Sequence, residues 1–132
     1  MDQRRVACLL LALSLPACAR RERRKAPVPE AAYEGFHDVA SCYVIGGWAW
    51  DGARPDEPIK VTIFDGDEWI TTILADQPRV DLIDAHKGNG YHDFRMLTPP
   101  SLRDGHPHVI TVRFPDGTAL VHSPKTLTCP SR

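Results

Sequence analysis

The sequence predicts an all-β protein: an immunoglobulin-like antiparallel β-sandwich with one short helix or helical loop, preceded by a signal peptide and a disordered leader. Three observations predict it. Runs of alternating apolar and polar residues recur about every ten residues. Turn signals separate them, as at Asp65-Gly66 and Asp116-Gly117. Twelve prolines and nine glycines are spread through the 132 residues, which suits frequent turns better than a helical bundle.

The chain begins with an address. Arg4 and Arg5 form a positive n-region, and Val6 to Leu15 is an apolar run too short to span a bilayer. Residues 1–17 therefore read as a signal peptide. Leu15-Pro16-Ala17-Cys18 looks like a lipobox, with Cys18 as the lipidated first residue. Ala17-Cys18-Ala19 also fits ordinary cleavage, which would give a soluble secreted protein. Residues 18–34 form a basic, proline-containing leader. Arg20 to Lys25 carries five positive charges and one negative, and would lie against anionic headgroups. Ala19 is not the aspartate associated with inner-membrane retention, which points to the outer membrane or periplasm. The folded part has the opposite charge. Tyr33 to Cys129 holds eight Lys/Arg and fourteen Asp/Glu, a net −6. That excludes nucleic acid as a natural partner.

The four cysteines reduce to two. Cys8 leaves with the signal peptide, and Cys18 is lipidated or lies in the leader. Cys42 and Cys129 remain, in a compartment where disulfides persist. A bridge between them would stabilise by roughly 4–4.5 kcal/mol on chain entropy. The rival readings are a metal site, which lacks a C-x-x-C, and a catalytic thiol.

The module is expected to span residues 35–129, with a tail at 130–132. Cys42, Val44, Gly46, Trp48 and Trp50 share one face of an unbroken strand. Trp48 and Trp50 read as core aromatics beside the disulfide. Ile59 to Asp65 alternates, Asp65-Gly66 turns, and Glu68 to Ala75 returns. Pro78 suits a first helical turn capped by Asp76 or Gln77, so Arg79 to Lys87 is predicted helical, with Gly88 as the stop. Tyr91 to Thr98 alternates with Phe94 and Met96 on one side. His108 to Phe114 is a strand with Ile110, Val112 and Phe114 facing one way. Thr118 to His122 and Thr126 to Cys129 close the domain.

Several of these pieces occur together in one order: GFHDVASCYVIGGWAWD, PIKVTIFDG, ADQPRVDL, GNGYHDF and LRDGHPHVITVRF. The ordered set resembles a bacterial extracellular β-sandwich module that carries a Gly-Trp-Ala-x-Asp strand. The resemblance covers about Gly35 to Cys129. It implies an accessory or binding module in secreted and envelope proteins and supplies no ligand. This chain departs from the pattern at His86-Lys87 and at Asp93.

The chemistry-bearing residues argue against catalysis. There is no G-x-S-x-G and no H-E-x-x-H. His106-Pro107-His108 is the only close histidine pair, with no further ligand at metal spacing. Asp65, Asp67 and Glu68 form no full calcium loop. The sequence predicts no catalytic residue, no metal site and no cofactor. It predicts an envelope binding or interaction module, held to the membrane by its N-terminal lipid, with a glycan or an envelope protein as partner. Trp69 and Tyr91, with Phe64, are the aromatics left for a ligand surface. The alternative is a small periplasmic hydrolase or metal-binding protein. It would gather Asp81, Asp84, His86 and Asp93, or His106 and His108, in one cleft.

Overall fold

The computed structural model describes residues 27–131. The signal peptide, Cys18 and the segment Arg20 to Lys25 lie outside the described residues. Eight strands form: β1 (Tyr33–Ala40), β2 (Val44–Asp51), β3 (Ile59–Asp65), β4 (Glu68–Ala75), β5 (Gln77–Pro78), β6 (Tyr91–Leu97), β7 (Pro107–Arg113) and β8 (Lys125–Thr128). Among the described residues one α-helix, α1 (Val80–Asp84), follows β5, and a single 3-10 turn, Pro100–Leu102, precedes β7. The strands pair antiparallel in two sheets, ordered β1-β2-β6-β5 and β4-β3-β7-β8. This is the strand order of an immunoglobulin-like sandwich with one added edge strand.

Alternation explains which residues meet between the sheets. Ile45, Ala49 and Phe94 come from the first sheet, and Val61, Ile63, Ile110 and Val112 from the second, all fully buried. Each of these side chains except Ala49 contributes about 1.5–3 kcal/mol on burial. Cys42 and Cys129 form a disulfide with their Cα atoms 5.6 Å apart. The bridge joins the β1–β2 turn to the residue after β8, and so ties one sheet to the other.

Several expectations need correction. The chain has a strand before Cys42: β1, which starts at Tyr33. Cys42 sits in a turn and is out of phase with Trp48 and Trp50. The two tryptophans do share a face, with Val44 and Gly46, but it is the outer face of the first sheet; Ile45 and Ala49 point inward. Pro78 lies in β5, not in a helix, and α1 begins after Arg79 with no side-chain cap. Residues 118–122 form no regular strand. They cross between the sheets, bridging Ala119 to Arg113 and Val121 to Phe36.

Two bulges reset the alternation. In β1 the register shifts between His37 and Val39, opposite β2. Here Gly47 is required: a Cβ on it would run into the Phe36 carbonyl oxygen. In β4 the shift leaves Ile63 opposite Thr71 and Phe64 opposite Trp69, so Ile70 is the extra residue. The start of the fold is pinned at the opposite pole from the disulfide. Buried Asp51 accepts from the Ala32 N–H at 2.8 Å and the Ala53 N–H at 2.9 Å. It also pairs with Arg54, whose Nη2 donates to the Pro29 carbonyl at 3.0 Å.

Candidate functional site

The β4 bulge decides where Trp69 points. Without it, Trp69 would stay in phase with Thr71, Ile73 and Ala75, which face inward opposite Ile63, Val61 and Ile59. The extra residue reverses the parity. Trp69 emerges on the outer face, cross-strand from Phe64, and is 60 % exposed. Its Nε1–H donates to the Thr72 hydroxyl at 3.0 Å, which fixes the ring plane. An exposed indole held in one orientation is available for stacking at little entropic cost.

A groove of about 420 Å³ opens beside this ring. The β3–β4 turn supplies Asp65, Glu68, Trp69 and Ile70. The loop before β7 supplies Ser101, Leu102 and Asp104, and β7 supplies His108. Turn chemistry forms both rims: Gly66 and Gly105 take positive φ, and the Asp104 carboxylate accepts from the His106 N–H at 3.0 Å. His108 spans the rims. Its Nδ1 lies 2.6 Å from Asp65 and its Nε2 2.8 Å from Asp104. The Asp104 and Asp65 hydrogen bonds raise the imidazole above its ordinary range. His108, with the His106 amide, holds the Asp104 carboxyl at about 2. The groove therefore offers a flat aromatic wall, a row of acceptors and a hydroxyl, on a rim braced by His108.

The other predicted residues lie elsewhere. Tyr91 is half exposed on the outer face of the first sheet, so it and Trp69 do not form one surface. Trp48 is buried there at 7 % exposure, stacked on Phe36 at 5.6 Å. Trp50 is half-buried under the 52–58 loop, donating to the Pro55 carbonyl at 3.0 Å. Lys87 Nζ sits 5.1 Å from its ring centroid. His92 is also buried and lies 2.9 Å from the same carbonyl.

The carboxylates proposed for hydrolysis converge in part, on a cation. Arg79 reaches Asp38 at 2.7 Å, Asp81 at 2.9 Å and Asp93 at 3.2 Å. Burial pushes the Asp93 carboxyl up, and Arg79 and Arg95 oppose the shift. Asp81 is held low by its Arg79 hydrogen bonds. Asp84 and His86 are exposed and make no side-chain hydrogen bond among the described residues. His106 is largely exposed, and its Nδ1 lies 3.6 Å from the same Asp104 oxygen that His108 Nε2 reaches at 2.8 Å, so the two histidines meet on one carboxylate at the groove rim, with no third ligand beside them among the described residues.

The sequence shows Asp65 only as part of a turn and gives no sign that Asp104 joins it in one rim. The missed signal was the pair of acidic Asp-Gly turns, at Asp65-Gly66 and Asp104-Gly105, with His108 four residues after Asp104. Compared with protein families, with curated proteins and with solved structures, the chain finds no match.

Proposed function

We propose that the protein is a non-catalytic binding module of the bacterial cell envelope, exported, anchored through a lipid on Cys18, and binding a glycan at Trp69. One observation carries the ligand reading: a fixed, exposed indole borders a groove lined by carboxylates and a serine. A sugar ring stacks its apolar face on Trp69, and its hydroxyls donate to Asp65, Glu68 and Asp104. The Cys42–Cys129 disulfide supports export, because such bridges persist outside the reducing cytosol.

A protein partner is the second reading. It is favoured by β4, an eight-residue edge strand without lysine or proline, which no other strand covers among the described residues.

A screen of glycans and envelope polymers tests the ligand. Wild type should bind, and Trp69→Ala should weaken binding about tenfold, the effect of losing one stacking contact. Binding unchanged in Trp69→Ala removes the groove from the reading. Intact mass of membrane-extracted protein tests the anchor. Acylation at Cys18, with release of Cys18→Ala to the soluble fraction, supports it; a soluble wild type beginning at Arg20 refutes it.

A further inference from the structure

A second recess lies across the 99–106 loop from the Trp69 groove. It measures about 260 Å³ and is lined by Cys42, Tyr43, Arg103, Cys129 and Pro130. Its walls are tied together on every side. The disulfide forms one wall. The Gly105 N–H donates to the Cys129 carbonyl at 2.7 Å, and the Thr98 N–H donates to the Tyr43 carbonyl at 3.0 Å. The Thr98 hydroxyl donates to the Ser41 carbonyl at 2.7 Å. The recess is thus formed before any ligand arrives.

Its charge has no partner among the described residues. Arg103 pairs with no carboxylate among the described residues; nearby Asp104 is taken by His108. Of its five donors one is used, in a 3.4 Å contact from Nη2 to the Thr98 carbonyl. Its Nε is buried without an acceptor. The guanidinium carbon sits 5.9 Å from the centroid of Tyr43, a ring that is 75 % exposed. A cation held beside an open aromatic face, with free planar donors, matches a carboxylate that can take two parallel hydrogen bonds.

We propose that this recess binds a carboxylate carried on a ring or short apolar stem, with the carboxylate on Arg103 and the stem on Tyr43. Two sources share that chemistry, an acidic sugar and the C-terminal carboxylate of a peptide. The site is separate from the Trp69 groove, and its test does not depend on that groove.

Nuclear magnetic resonance of the ¹⁵N-labelled, disulfide-intact protein tests it. Glucuronate and N-acetylalanine are the two carboxylate probes, glucuronamide is the neutral isostere, and inorganic phosphate is the competing anion. At least one carboxylate should give saturable shifts at the Arg103 side chain and the Tyr43 amide, and the better one names the source. Glucuronamide and phosphate should bind at least about tenfold more weakly, the value of one charge-assisted contact. Arg103→Gln should lose the carboxylate preference, and Tyr43→Ala should weaken binding while keeping it. Equal binding of glucuronate and glucuronamide, a preference for phosphate, or shifts that never saturate would overturn the proposal. The isostere comparison uses wild type, so a misfolded variant cannot mask the result.

Discussion

His37 should make the protein less stable in mild acid, and the size of the effect follows from its surroundings. Its side chain is fully buried between β1 and the 120–123 segment. Nδ1 lies 2.7 Å from the Ser123 hydroxyl, which accepts from the Val112 N–H at 2.9 Å. Nε2 has no partner among the described residues. Burial, reinforced by the positive charge of Lys125, lowers the imidazole from 6.5 to about 4. The folded state therefore refuses a proton that the unfolded chain accepts near 6.5. Between those two values the unfolded chain binds more protons, so stability falls as pH falls. The full interval corresponds to about 3 kcal/mol at 1.36 kcal/mol per pH unit. His92 is lowered by burial too, and several carboxylates add acid sensitivity of their own. A difference isolates His37. Urea unfolding of wild type and His37→Gln should be measured from pH 8 to pH 4 with the disulfide intact. Whatever the variant loses in packing is independent of pH. The stability gap between the two proteins should narrow by about 3 kcal/mol across that range. A gap constant to within about 0.5 kcal/mol refutes the reasoning, because it would mean that His37 titrates alike in both states.

Three further outcomes are expected. Replacing Cys42 and Cys129 together by alanine frees two residues 87 apart in sequence and should cost about 4.5 kcal/mol, read by non-reducing urea melts against wild type. Gly47→Ala forces a Cβ against the Phe36 carbonyl at the β1 bulge, so it should lower stability by about 2–3 kcal/mol, whereas Gly66→Ala, which meets no atom within 4 Å, should cost only the left-handed backbone strain, about 1–2 kcal/mol. His108 should titrate above 6.5 by nuclear magnetic resonance, so its contribution is present in acid and lost as pH rises through that midpoint; Asp104→Asn should bring the midpoint down.

The legible parts of the fold were those where alternation runs unbroken between turn signals. β3 lies between Pro58 and Asp65-Gly66, and Ile59, Val61 and Ile63 mark its inner face without ambiguity. β7 reads the same way. β1 was hidden because its bulge after His37 breaks the parity, and because a buried histidine occupies an inward position where an aliphatic is the usual sign. The orientation of Trp48 and Trp50 was hidden for a different reason. Both faces of β2 are buried or half-buried: one by the second sheet, the other where Trp48 stacks on Phe36 and Trp50 lies against the 52–58 loop. A strand covered twice gives no polar face to orient it. The candidate site was legible as one residue, Trp69, chosen as an exposed aromatic. Its carboxylate rim was not, since Asp65 and Asp104 are 39 positions apart and only sheet pairing brings β3 beside β7.

The clamp at Asp51 sets a direction for the whole molecule. It fixes Ala32, and with Arg54 it fixes Pro29, at the pole where β2 ends and β3 begins. The Trp69 groove and the Tyr43–Arg103 recess lie at the other pole, one length of β3 away, roughly 20 Å. A tether at Cys18 would leave fifteen residues, 18–32, to the first strand, at most ~50 Å of contour. On the proposed anchor, the tether would enter the sandwich at the Asp51 pole, and both recesses would stand at the end farther from it.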